Sequence, residues 1–109
     1  MLLNKLDCGG TLYGVAPILP IGSSDTPAGT AIKECLFSDS FELEIGAVIA
    51  IQFTYANTYG DGVTTFPSLR INGNNYALKT LKGAYTASGA WDNGETILVM
   101  FNGTAFLTL

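Results

Sequence analysis

Apolar and polar residues alternate with period two through much of the chain. The helical spacing i, i+3, i+4, i+7 never recurs free of glycine or β-branched clusters. Phe41, Leu43 and Ile45 alternate with Glu42 and Glu44, which predicts a strand with one buried and one solvated face. Gly46 turns the chain. Residues 47–54 follow, with Ile49, Ile51 and Phe53 on one face and the weakly polar set Val48, Ala50 and Gln52 on the other, so a central strand is expected. Leu69 and Ile71 flank an outward Arg70. Asn72-Gly73 accepts positive φ at both positions and predicts a hairpin into residues 76–79. Residues 96–101 are apolar on both faces, which predicts a second central strand buried on both sides. Asn102-Gly103 then predicts a hairpin into residues 104–109.

Residues 32–38 read as a further strand. Residues 12–32 differ: they carry three of the four prolines, with Gly22-Ser23-Ser24-Asp25-Thr26-Pro27 at their centre, and read as an edge loop. Residues 55–67 and 80–94 read as two long loops. Thirteen glycines punctuate a Thr-rich chain every eight to twelve residues. That spacing predicts an all-β fold. The expectation is an antiparallel, jelly-roll-like β-sandwich over residues 1–109, with 1–29 as a docking or edge segment.

Composition narrows the function. The chain is 48% hydrophobic and 13% charged, against about 25% charged in an average soluble protein. The apolar excess implies either a partner over part of the surface or a sheet buried on both faces. Five Lys+Arg within a net charge of −4 make a nucleic-acid partner unexpected. The longest apolar runs, residues 47–51 and 97–101, fall far short of the roughly 20 residues of a membrane helix, so no membrane insertion is expected. Residues 1–5 do not open a secretory signal, which points to synthesis in a cytoplasm. Cys8 and Cys35 belong to no C-x-x-C motif and have no histidine partners, so they do not build a zinc site. They read as two buried small hydrophobes or as a disulfide.

No constellation for catalysis emerges, and the chain does not read as an enzyme. Histidine is absent, which removes a Ser-His-Asp triad. Glu42 and Glu44 share the wet face of their predicted strand. Asp61, Asp92 and Glu95 lie outside any calcium-loop pattern. No glycine-rich phosphate loop occurs, so neither a metal nor a cofactor is expected. The aromatic residues carry the remaining signal. Phe53, Phe101 and Phe106 sit in strand patterns and read as core. Trp91 reads as a packing anchor whose indole N–H bonds a backbone carbonyl. Tyr55, Tyr59 and Tyr85 fall in the loops. They suit stacking on a sugar face, with Asn57, Asp61 and Asn93 bonding hydroxyls. They equally suit covering the loops' own backbone or a neighbouring subunit.

Three stretches carry a resemblance. Gly46–Thr58 reads G-A-V-I-A-I-Q-F-T-Y-A-N-T, Pro67–Asn74 reads P-S-L-R-I-N-G-N, and Trp91–Leu109 reads W-D-N-G-E-T-I-L-V-M-F-N-G-T-A-F-L-T-L. In order and spacing they resemble a β-rich module of bacteriophage tail-fibre, baseplate and other virion appendage proteins. Thr30-Ala31-Ile32-Lys33 and Phe41-x-Leu43-x-x-Gly46 look like its opening strands, so the resemblance spans residues 30–109. This chain departs in a longer loop after Phe53, which carries Tyr59 and Asp61-Gly62. Residues 1–29 have no counterpart beyond Cys8-Gly9-Gly10-Thr11. The resemblance implies a virion structural protein made in the host bacterial cytoplasm. It implies a homotrimer in contact with other virion proteins. Together with the loop residues Tyr55, Asn57, Tyr59, Asp61, Tyr85 and Asn93, it points to attachment to a host-surface glycan. The alternative is a capsid decoration, head-fibre or connector subunit that stabilises the particle and binds no receptor.

Overall fold

The computed structural model describes residues 19–109. They form eight strands and no helix: β1 (Ile21–Ser24), β2 (Ile32–Glu34), β3 (Leu36–Phe37), β4 (Val48–Phe53), β5 (Ser68–Ile71), β6 (Asn74–Thr80), β7 (Thr96–Phe101) and β8 (Ala105–Thr108). All eight belong to one sheet, in the order β2-β5-β6-β8-β7-β4-β1-β3. The two ends of that order are consecutive pieces of one extended segment. β2 pairs with β5, and β3 pairs with β1. Between them, the Cys35 N–H donates to the Arg70 carbonyl at 3.1 Å, while the Glu34 N–H reaches Thr26 Oγ1 at 2.9 Å on the other side. One segment therefore touches both margins of the sheet, which is nearly closed as a barrel and leaves little open edge.

The all-β expectation holds, but the antiparallel sandwich is corrected. β1–β4, β2–β5 and β6–β8 are parallel pairs. Of the antiparallel pairs, β1–β3 and β4–β7 meet across longer connections, whereas β5–β6 and β7–β8 are joined by tight turns. At the first such turn, Asn72 and Gly73 both take positive φ, 55° and 81°. At the second, Asn102 Oδ1 accepts the N–H groups of Thr104 and Ala105 at 3.0 and 2.8 Å. The long loops instead return the chain across the barrel, and strands that meet that way run parallel as readily as antiparallel.

Three further expectations change. Residues 41–45 form no strand: burial alternates from Phe41 to Glu44, but no ladder forms and Ile45 is exposed. Both edges of β4 are already taken by β1 and β7, and Phe41 and Leu43 instead lean on the core beside Phe37. Residues 21–24, read as loop, form β1 along β4. Gly22 makes this possible, because a Cβ there would lie 2.6 Å from the Phe37 ring. Finally, β7 is central but not buried on both faces, since Leu98 is exposed. The expected docking segment up to residue 18, and with it any pairing of Cys8, lies outside the described residues.

The core fills the barrel. Ile49, Ile51 and Phe53 of β4 point inward with Ile97, Val99 and Phe101 of β7, as period-two alternation requires. Leu69, Ile71, Leu78 and Phe106 close the other side. Tyr76, Phe101 and Phe106 meet with ring centroids 5.2–5.4 Å apart. Burial of an aromatic or large aliphatic side chain of this kind contributes about 1.5–3 kcal/mol.

Candidate functional site

Residues 25–31, 54–67 and 81–95 gather at one end of the barrel, because β1, β4 and β6 finish there and β2, β5 and β7 begin there. Four of the six residues singled out for sugar contact, Asn57, Asp61, Tyr85 and Asn93, are committed to the fold of this end. Asn57 is 0% exposed. Its Nδ2 donates to the Tyr59 and Ala87 carbonyls at 2.8 and 3.2 Å, and its Oδ1 accepts the Tyr59 N–H at 3.1 Å. It ties the two long loops together and presents no polar atom outward. Asn93 Oδ1 accepts the Ala56 N–H at 2.7 Å, a second tie between the same loops.

Asp61 is exposed, but its carboxylate organises its own turn. Oδ1 accepts the N–H groups of Val63, Thr64 and Thr65 at 2.8–2.9 Å, and Oδ2 accepts the Thr64 hydroxyl at 2.9 Å. These bonds hold the carboxyl well below the usual carboxylate range. Tyr85 stacks on Phe66 with ring centroids 4.0 Å apart and planes 8° apart, and Lys79 Nζ sits 5.1 Å from its ring centre. Tyr59 is half-buried. Tyr55 alone stands out as an exposed ring, 47% accessible.

Trp91 takes the anchoring role its position suggested. It is buried, stacks on Phe53 at 4.1 Å, and its indole N–H donates to the Tyr55 carbonyl at 3.0 Å. Beneath the loops lies a residue that sequence reasoning missed. Lys33 is buried, with Nζ donating to the Ala28 and Pro27 carbonyls at 3.0 and 3.2 Å and lying 6.0 Å from the Trp91 ring centre. Burial holds its amine below the usual lysine range. The available signal was its period-two relation to Cys35, which shares its inward face. Burial, reinforced by the nearby Glu34 carboxylate, pushes the Cys35 thiol up to about 12, so it stays protonated and unreactive. Among the described residues no cluster of metal-ligating side chains is present.

The outside of the barrel is two-faced. The charged strand residues that face outward are Glu34, Arg70 and Lys79, on β2, β5 and β6. Glu34 and Arg70 pair across that wall at 3.5 Å. The adjoining wall, β1-β4-β7-β8, carries no charged side chain, and Lys79 borders it beside Leu107. Its lateral rows are apolar: Ile21 lies beside Ala50, Ala50 beside Leu98, and the Leu109 N–H bonds the Leu98 carbonyl. The neighbouring row runs Val48, Met100, Leu107. Ile21, Leu98 and Leu109 are 66%, 43% and 54% exposed, whereas Ala50 between them is buried. At the margin, Ile21 also lines an open cleft of about 450 Å³ with Leu19, Phe37 and Phe41.

No helix among the described residues is long and apolar enough to cross a membrane. Comparison with protein-family models, with curated proteins and with solved structures finds no match to this chain.

Proposed function

We propose that this protein is a structural subunit of a bacteriophage particle, a short β-barrel seated in the virion through its uncharged wall and in contact there with copies of itself or other virion proteins. The observation that carries the assembly part is the contiguous apolar face on β1, β4, β7 and β8, set against a charged face on β2, β5 and β6. The largest apolar patch on a soluble protein is often a contact site. The virion part is supported by the order of the sequence stretches that resemble appendage modules. The loop end favours assembly over sugar binding, because Asn57, Asp61 and Asn93 spend their polar atoms on the loops themselves. Quantitative mass spectrometry of purified particles from a host carrying the gene tests this reading. The expected result is the protein at a stoichiometry matching other structural subunits, with fragile or incomplete particles after its deletion. Absence from the particles contradicts it.

A second reading, attachment to a host-surface glycan, is favoured by Tyr55. Its ring is exposed while its carbonyl is pinned by Trp91. A fixed aromatic ring suits stacking on a sugar, and many weak sites on one particle act together. Host-cell adsorption of particles carrying Tyr55→Ala tests it: lost adsorption with intact particles supports attachment, and unchanged adsorption removes it.

A further inference from the structure

We propose that the occupant of the β1-β4-β7-β8 wall is a second copy of this chain, the two walls meeting face to face with their Leu98 side chains opposed. This deepens the assembly reading above and rests on it for its biological role.

Charge permits this partner. In a two-fold pair of identical subunits the residues near the axis meet their own counterparts, so a charge there would meet a like charge. The chain carries a net charge of −4, yet no charged side chain lies on β1, β4, β7 or β8; Lys79 borders this wall beside Leu107, and Glu34 and Arg70 lie farther round the barrel on β2 and β5. Relief selects the same geometry. Ile21 and Leu98 stand up on either side of the buried Ala50, so the wall offers both ridges and a hollow. With the Leu98 side chains opposed on a two-fold axis along the strands, Leu109 of one copy faces the Ala50 hollow of the other.

The size is adequate for the centre of such a contact. Four strands spaced about 4.8 Å and six residues rising about 3.3 Å each give a wall of about 19 by 20 Å. Specific interfaces bury about 800 Å² per partner, with an apolar core inside a polar rim. Gln52, Ser23 and Thr96, exposed beside the apolar rows, supply that rim.

Sedimentation equilibrium of the full chain tests the inference at micromolar concentrations. The wild type is expected to self-associate. Leu98→Arg is expected to weaken association about 100-fold or more, whereas Val63→Arg, in an exposed loop, leaves it unchanged. Ile21→Arg serves as an independent variant, and far-UV circular dichroism checks that each is folded. An equimolar mixture of Leu98→Arg and Leu98→Glu is expected to associate although each alone does not. A monomeric wild type overturns the inference and leaves residues 1–18 or another virion protein as the cover. Association that survives both arginine variants, or a charge mixture that stays monomeric, also overturns it. Self-association of a protein absent from particles removes the virion reading and leaves the pairing intact.

Discussion

The indole N–H of Trp91 donates to the backbone carbonyl of Tyr55 at 3.0 Å while its ring lies on Phe53 at 4.1 Å. One side chain thereby joins the loop after β4 to the loop before β7 and to the barrel core. Trp91→Phe keeps most of the packing and loses the hydrogen bond, at a cost of about 1 kcal/mol. Trp91→Ala removes both and costs about 3–5 kcal/mol. Thermal unfolding separates the two, because 1 kcal/mol shifts the midpoint of a domain this size by about 4–8 °C. Equal losses from both variants contradict the anchoring role.

Lys33 contributes less to stability than its burial suggests. Its carbonyl partners keep other donors when it is removed: Thr58 N–H bonds Ala28 and Thr30 N–H bonds Pro27. Lys33→Met therefore leaves neither acceptor orphaned and removes a desolvated charge. The expected change in urea unfolding at pH 7 is between zero and about 2 kcal/mol of stabilisation. The pH dependence has a definite sign. The folded-state pKa lies below the unfolded value of about 10.4, so between the two the unfolded chain binds more protons and stability rises with pH. The difference between Lys33→Met and wild type is thus largest below the folded pKa and shrinks as pH rises through it. A clear destabilisation by Lys33→Met contradicts this.

Asn57 and Tyr55 separate structure from recognition within one loop. Asn57→Ala leaves two carbonyls and an N–H without their partner in a buried site and is expected to cost about 2–4 kcal/mol. Tyr55→Ala trims an exposed ring and is expected to stay within about 0.5 kcal/mol of wild type. Chemical denaturation of both variants checks the ordering. A neutral Asn57→Ala contradicts its role as the tie between the loops.

The Asp61 turn should persist well into acid. Its hydrogen bonds lower the folded-state pKa, so the stability it contributes is complete above the unfolded value of about 3.9 and is lost as pH falls through the lower folded value. Amide NMR shifts of Val63, Thr64 and Thr65 are expected to hold steady down to about pH 4 and to move only below it. A midpoint at or above the ordinary value contradicts the hydrogen-bonded turn.

What was legible in the sequence was local. Asn72-Gly73 and Asn102-Gly103 announced their hairpins because the turn residues alone decide the geometry. The β4 core face was legible from the alternation of Ile49, Ile51 and Phe53. The parallel pairing of β1 with β4 was not, since no local signal tells Ile21 that Ala50 will be its neighbour. Phe41 and Leu43 showed a true alternation of burial, but alternation does not supply a hydrogen-bonding partner. Asn57 suits a ligand contact by its loop position alone, because its partner, the Ala87 carbonyl, lies thirty residues away in the chain. Lys33 carries no such local signal either: a lysine is almost never placed inside a barrel, and here two carbonyls of a neighbouring loop receive it.

The uncharged wall is the surface through which we propose that this barrel is assembled. A cryo-electron-microscopy reconstruction of the particle that contains it tests this most directly. The expected map shows β1, β4, β7 and β8 covered by another protein surface, with Leu98 buried in the contact and Glu34 and Arg70 facing solvent. A map in which Ile21, Leu98 and Leu109 face solvent contradicts it.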